Sequence, residues 1–114
     1  MSAITTHILD ISRGQPARGV NVHLEMQGTD GGWHSLGMGA TDMDGRLRNL
    51  LLDDFNLQLG LYRLTFETAG YFAAQGLNSF YPHVVLVFLV DDTEQHYHVP
   101  LLLSPFGYST YRGS

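Results

Sequence analysis

The stretch Val20-Asn21-Val22-His23-Leu24-Glu25, followed by Thr29-Asp30-Gly31-Gly32 and then Trp33, decides the fold class. Val20, Val22 and Leu24 alternate with Asn21, His23 and Glu25, a period of two that places one apolar face on a half-buried strand. Thr29 to Gly32 is strong hairpin chemistry, because glycine adopts the positive φ that tight strand reversals need. Trp33 then opens a second strand that fades through Gly37 and Gly39.

The same grammar continues in both directions. Ile4 to Ile11 reads as a strand closed by Ser12-Arg13-Gly14-Gln15-Pro16. Thr41-Asp42-Met43-Asp44-Gly45-Arg46 reads as a tight turn in which Gly45 supplies the positive φ and Arg46 stands just past a rigid corner. Leu61 to Thr68 alternates again, and Ala69 to Leu77 suits a helix of about two turns, the only one expected. Val84 to Val90 is apolar without interruption, which predicts a strand buried on both faces or one whose second face meets another subunit; the subunit reading is preferred. After the turn at Asp91-Asp92-Thr93-Glu94 comes His96-Tyr97-His98-Val99 and then Pro100, which cannot donate to a ladder and so predicts an edge or a bulge. The aromatic, small-residue ending predicts a packed terminus. Short strands with turn signals about every ten residues predict an all-β sandwich.

Composition bounds the function. The 114 residues are 44% hydrophobic and 15% charged, which fits a single domain over residues 1–114. Six arginines, no lysine and eleven acidic residues give a formal charge of −5, with no basic stripe for a phosphate backbone, so no nucleic-acid partner is expected. The absence of cysteine removes disulfides, thiolate nucleophiles and Cys-ligated zinc. No apolar run is long enough for a membrane helix, and the N-terminus lacks leader features, so the expected address is the cytoplasm.

Six histidines are the chemically conspicuous residues. His96 and His98 share a strand face, but a metal site would need a third ligand, and there is neither HExxH nor cysteine; no metal is expected. His7 shares a face with Thr5 and Leu9, whereas His23, His34 and His83 fall near exposed or turn positions. No Gly-x-Ser-x-Gly elbow supports serine catalysis. Asp42 and Asp44 read as turn-shaping residues, since the alternating ligands and distal glutamate of a calcium loop are missing. Arg46 offers a planar donor for a planar anion or cyclic amide, though an ordinary turn-flanking charge would look the same.

Thr5-Thr6-His7-Ile8-Leu9-Asp10, Asp42-Met43-Asp44-Gly45-Arg46, Phe80-Tyr81-Pro82-His83-Val84 and His96-Tyr97-His98-Val99-Pro100-Leu101-Leu102-Leu103-Ser104-Pro105 resemble the transthyretin-related family. So does the ending Tyr108-Ser109-Thr110-Tyr111-Arg112-Gly113-Ser114, whose Tyr-Arg-Gly-Ser resembles the signature of the 5-hydroxyisourate hydrolase branch and is lacking in the hormone carrier. The resemblance spans essentially the whole chain. It implies a transthyretin-like β-sandwich of two four-stranded sheets with one short α-helix, assembled as a homotetramer, a dimer of dimers, with active sites at the dimer–dimer interface. It also implies hydrolytic ring opening of 5-hydroxyisourate to 2-oxo-4-hydroxy-4-carboxy-5-ureidoimidazoline on the way from urate to allantoin, with no metal or organic cofactor. The positions carried over are His7, Arg46, His98 and Ser114 as catalytic residues, with His7, Arg46 and Tyr111 binding substrate. Which imidazole acts as base stays open at this level. Two other classes remain to be discriminated: a small-ligand carrier, which needs neither His98 nor the tail, and a monomeric structural module joining partners through sheet edges.

Overall fold

The computed structural model describes residues 2–114; residue 1 lies outside them. The strands are β1 (Ile4–Asp10), β2 (Gln15–Pro16), β3 (Asn21–Gln27), β4 (Trp33–Ala40), β5 (Arg46–Leu47), β6 (Gly60–Phe66), β7 (Val84–Val90), β8 (Tyr97–Ser104) and β9 (Gly107–Thr110), with one helix, α1 (Thr68–Ala73), between β6 and β7. One sheet runs β4-β3-β6-β7, and the other runs β2-β1-β8-β9 with β5 also on β1. The second sheet has five strands in four rows. The two-residue strands β2 and β5 lie end to end along one edge of β1, at Leu9–Asp10 and Thr6–His7, while β8 takes the other edge.

Alternation sets the core between the sheets. Ile4, Ile8, Val22, Leu24, Tyr62, Leu64, Phe66, Leu101 and Leu103 are all essentially inaccessible. Each such side chain contributes on the order of 1.5–3 kcal/mol by leaving water. The carboxyl side chain of Asp10 is also fully buried: it accepts hydrogen bonds from Ser12 N (3.1 Å), Ser12 Oγ (2.5 Å) and Tyr71 Oη (2.8 Å), which fastens α1 to the end of β1. Burial and the neighbouring Asp10 push the Tyr71 phenol above its ordinary range.

The expected hairpin joins β3 to β4, with Gly31 at φ +81°. The helix is shorter than expected: it ends at Ala73 with Ala74 as its cap, and Gly76 at φ +74° closes the following turn, so the helix does not continue to Leu77. Pro100 calls for a correction. It lies inside β8, between β1 and β9, rather than on an edge. Leu101 pairs with Thr110 and His98 with Gly113, so the register is the same before and after Pro100 and there is no bulge; the pairing lapses at Val99 and Pro100 on the β9 side alone, while Pro100 stays paired with His7 on the β1 side. The C-terminal stretch differs too, being hydrogen-bonded to the sheet yet exposed at Tyr111 and Arg112.

Strand β7 is buried on its inner face and open on the other, with Val85, Val87 and Leu89 exposed. No helix of the described residues is long and apolar enough to cross a membrane.

Candidate active site

The site is a cross-strand row on the outer face of the β1–β8 sheet. Parallel pairing of β1 with β8 sets Thr5 opposite His98 and His7 opposite Pro100, and antiparallel pairing with β5 sets Arg46 opposite His7. Residues in register across a sheet point to the same side, so Thr5, His7, Arg46 and His98 share one surface. The opposite face of β1 is core.

A cleft of about 180 Å³ is lined by Thr5, Thr6, Arg46, Arg48, His96, His98 and Ser114. Thr5 is almost fully buried, and its Oγ1 lies 2.8 Å from Nδ1 of His98 and 3.1 Å from Nε2 of His96. The two rings are stacked with centroids 6.4 Å apart. Since Nδ1 of His98 is engaged, Nε2 is the nitrogen left for the cleft. Burial, reinforced by the nearby charges of His96, Arg46 and His7, holds His98 below the ordinary histidine value, so its neutral form persists to lower pH.

His7 and Arg46 are both positioned by the turn before β5. Oδ1 of Asp42 accepts the backbone N–H groups of Asp44 (2.9 Å) and Arg46 (3.0 Å), and Gly45 takes φ +75°. These bonds, that from Arg46 foremost, lower the Asp42 carboxyl below its usual range. Asp42 and Asp44 therefore shape the turn as expected. The carbonyl of Asp44 accepts a hydrogen bond from Nε2 of His7 at 2.8 Å, which makes that nitrogen the protonated one and leaves Nδ1 as the lone pair of the neutral ring. Among the described residues no carboxylate comes within ion-pair distance of Arg46, so its guanidinium is free for a ligand.

Of the residues singled out in the sequence, Arg46, His98 and Ser114 line the cleft, and His7 stands beside it. Tyr111 lies instead in an adjoining groove of about 350 Å³ with Val85, Val87, Leu89 and Arg112, which His98 also borders. His23 and His34 contact Ser35 and Asp30 far along the other sheet, and His83 is exposed. Sequence reasoning passed over Thr5 and Arg48, while His96 and His98, which it placed on one strand face with the family motif favouring His98, both line the cleft; for Thr5 the signal was its shared face with His7. A further groove of about 630 Å³, between α1 and the β1–β2 turn, contains no histidine. No group of three or more His, Cys, Asp or Glu residues arranged to hold a metal ion exists among the described residues.

The fold and cleft together define a transthyretin-like β-sandwich carrying the parts of an acid–base site: imidazoles, a free guanidinium and hydroxyl groups. The HIUase/Transthyretin family profile matches residues 4–113. A probable 5-hydroxyisourate hydrolase from Caenorhabditis elegans is 48% identical over 113 residues, covering 99% of this chain and 82% of that protein. The crystal structure of 5-hydroxyisourate hydrolase from Klebsiella pneumoniae superposes with a TM-score of 0.85 at 39% identity, over 100% of this chain and 94% of that one. Sea bream transthyretin in complex with thyroxine superposes with a TM-score of 0.91 at 34% identity, over 97% and 94%. The chain belongs to the HIUase/Transthyretin family. Backbone similarity alone does not separate its two branches, and the identity is higher toward the hydrolases.

Proposed function

We infer that this protein catalyses hydrolytic ring opening of 5-hydroxyisourate, giving 2-oxo-4-hydroxy-4-carboxy-5-ureidoimidazoline in urate breakdown. The observation that carries the reading is a half-buried imidazole with one nitrogen free, beside an unpaired guanidinium, in a chain nearly half identical to 5-hydroxyisourate hydrolases. Opening a cyclic amide needs an activated water, stabilisation of a tetrahedral oxyanion and a proton for the departing nitrogen.

In the proposed mechanism Nε2 of His98 removes a proton from water, which attacks the ring carbonyl. Arg46 grips the substrate and faces the developing oxyanion, with Arg48 adding positive potential at the mouth. His7, fixed in one tautomer by Asp44, orients the water or substrate through Nδ1. The C–N bond then breaks, and the proton taken by His98 goes to the leaving nitrogen. Ser114 closes the pocket by hydrogen bonding, and Tyr111 contributes from the adjoining groove that His98 also borders. No metal or organic cofactor takes part.

The proposal includes assembly as a homotetramer, a dimer of dimers. A cleft of about 180 Å³ is smaller than the roughly 300–1,000 Å³ of typical ligand pockets, so a second copy laid over it would complete the enclosure. A cytoplasmic location belongs to the same reading, on the strength of a cysteine-free composition suited to a reducing compartment; cell fractionation checks it.

The direct test follows the ultraviolet decay of 5-hydroxyisourate generated in place from urate by urate oxidase, with and without the protein and after chelator treatment. Accelerated, chelator-insensitive decay is expected. No acceleration by folded protein would move the reading to a ligand carrier, and loss of acceleration with chelator would overturn the metal-free mechanism.

A further inference from the structure

Thr5 Oγ1 has one proton and two imidazole partners, Nδ1 of His98 at 2.8 Å and Nε2 of His96 at 3.1 Å. With both rings neutral, the hydroxyl donates to one nitrogen and accepts from the N–H of the other. The two arrangements are chemically opposite. If His98 Nδ1–H donates to Thr5 and Thr5 donates to His96, Nε2 of His98 is a lone pair, a base facing the cleft. If His96 Nε2–H donates to Thr5 and Thr5 donates to His98, Nε2 of His98 carries a proton and is an acid. A protonated His96 has no lone pair on Nε2, so it donates to Thr5 and leaves the Thr5 proton available to Nδ1 of His98, which favours the second arrangement.

We propose that Thr5 and His96 are positioning residues that set the tautomer of His98, with Thr5 relaying a proton between the two imidazoles; the proposal rests on the hydrolase reading. As water loses a proton to Nε2 of His98, the Nδ1 proton passes to Thr5 Oγ1 and the Thr5 proton passes to Nε2 of His96. His98 then ends neutral, protonated at Nε2, and His96 ends as the imidazolium. When the C–N bond breaks, Nε2 of His98 gives its proton to the departing nitrogen, while His96 returns one through Thr5 to Nδ1. Every proton is accounted for, and both rings are restored. His96 is exposed while His98 and Thr5 are not, so the stored charge rests at the hydrated end of the chain.

Other charged or titratable groups lie around His98, in the cleft or along the groove that it borders. His7 comes from β1, Arg46 and Arg48 from β5 and its continuation, Ser114 from the tail, and Asp91, Tyr97, Tyr111 and Arg112 from the adjoining groove. Arg112 is occupied with Gln95 (2.7 Å) and the Tyr97 ring, and none of these groups is hydrogen-bonded to Nδ1 of His98.

The test compares Thr5→Val, Thr5→Ser and the exposed His96→Gln with the parent protein in 5-hydroxyisourate hydrolysis across pH. Thr5→Val is expected to lower kcat about tenfold with little change in KM, as loss of one hydrogen bond to a charged partner does. Thr5→Ser is expected to restore it. His96→Gln is expected to lower kcat and to move the acidic limb of the profile up toward the ordinary histidine value, because one of the charges that depresses His98 is gone. ¹⁵N imidazole NMR of the parent should show neutral His98 protonated at Nδ1. Parent-like kcat and limb in His96→Gln, equal impairment of Thr5→Ser and Thr5→Val, or Nε2 protonation of neutral His98 would each overturn the proposal. A parent protein inactive on 5-hydroxyisourate would sink the hydrolase reading instead, and the NMR measurement separates the two failures.

Discussion

At the scale of single residues, His98 joins burial to a surrounding of cationic neighbours, and both disfavour its protonated form. The expected consequence is an activity profile whose acidic limb lies below 6.5, the ordinary histidine value; a limb at or above it, read from kcat/KM against pH, would contradict His98 as the base. The same depression has a stability sign. Between the lowered folded value and 6.5 the unfolded chain binds more protons, so this residue's contribution makes stability fall as pH drops through that window. His98→Asn should reduce turnover by about a hundredfold or more with an unchanged circular dichroism spectrum, the usual effect of removing a general base. Arg46→Ala should cost a comparable factor through the oxyanion. A folded His98→Asn protein with parent turnover would remove His98 from the mechanism. The sequence made His7, Arg46 and His98 visible mainly through the family motif, because a lone imidazole on a strand looks the same whether or not it binds anything. The shared face of Thr5 and His7 was legible, but the contact of the Thr5 hydroxyl with His96 and His98 was not, since it depends on a parallel register between residues more than ninety positions apart.

At the scale of elements, two glycines carry different burdens. Gly45 sits at φ +75°, and a Cβ there would fall 2.3 Å from the carbonyl oxygen of Ile8. Its own carbonyl accepts the Ile8 N–H at 2.7 Å. Gly45→Ala should therefore destabilise the fold by about 1–3 kcal/mol, readable as a fall in Tm of several degrees, and should lower activity as the turn holding His7 and Arg46 shifts. Gly113 has no such backbone demand, but its Cβ would meet His98 Cδ2 at 2.6 Å and Pro100 Cγ at 3.3 Å. Gly113→Ala should push the imidazole aside and cost roughly tenfold to a hundredfold in kcat/KM with a smaller change in Tm. Equal effects on Tm from both substitutions would contradict that division. The turn at Gly45 was legible because a short Asp-x-Asp-Gly segment between strands has few other solutions. The place of Pro100 was not, because whether a strand lies at an edge is decided by its neighbours in the fold and not by its own residues.

At the scale of the whole molecule, the uninterrupted apolar run of β7 resolves into one core face and one exposed face. Val85 (40%), Val87 (55%) and Leu89 (57%) stay exposed on an edge strand that carries neither a charge nor a proline. Natural edge strands are normally protected by such residues, and an unprotected one invites pairing with another chain. The groove beside it joins β7 to Thr110, Tyr111 and Arg112 beyond β8, so a partner docking there would also cover the tail and the flank of His98. Burying what remains of Val87 or Leu89 would contribute about 1 kcal/mol apiece, and a two-fold contact uses each residue twice. Val87→Glu places a carboxylate at the centre of that face and should cost several kcal/mol in assembly while leaving the isolated sandwich folded. The parent is expected to sediment at four times the 12.7 kDa chain mass and Val87→Glu at a smaller multiple. With Tyr111 no longer covered and the cleft open to water, the variant should also lose about tenfold or more in 5-hydroxyisourate turnover. Sedimentation of the parent as a monomer at micromolar concentration would refute the proposed assembly. Full activity in a dissociated Val87→Glu protein would show that a single chain's cleft suffices for the chemistry.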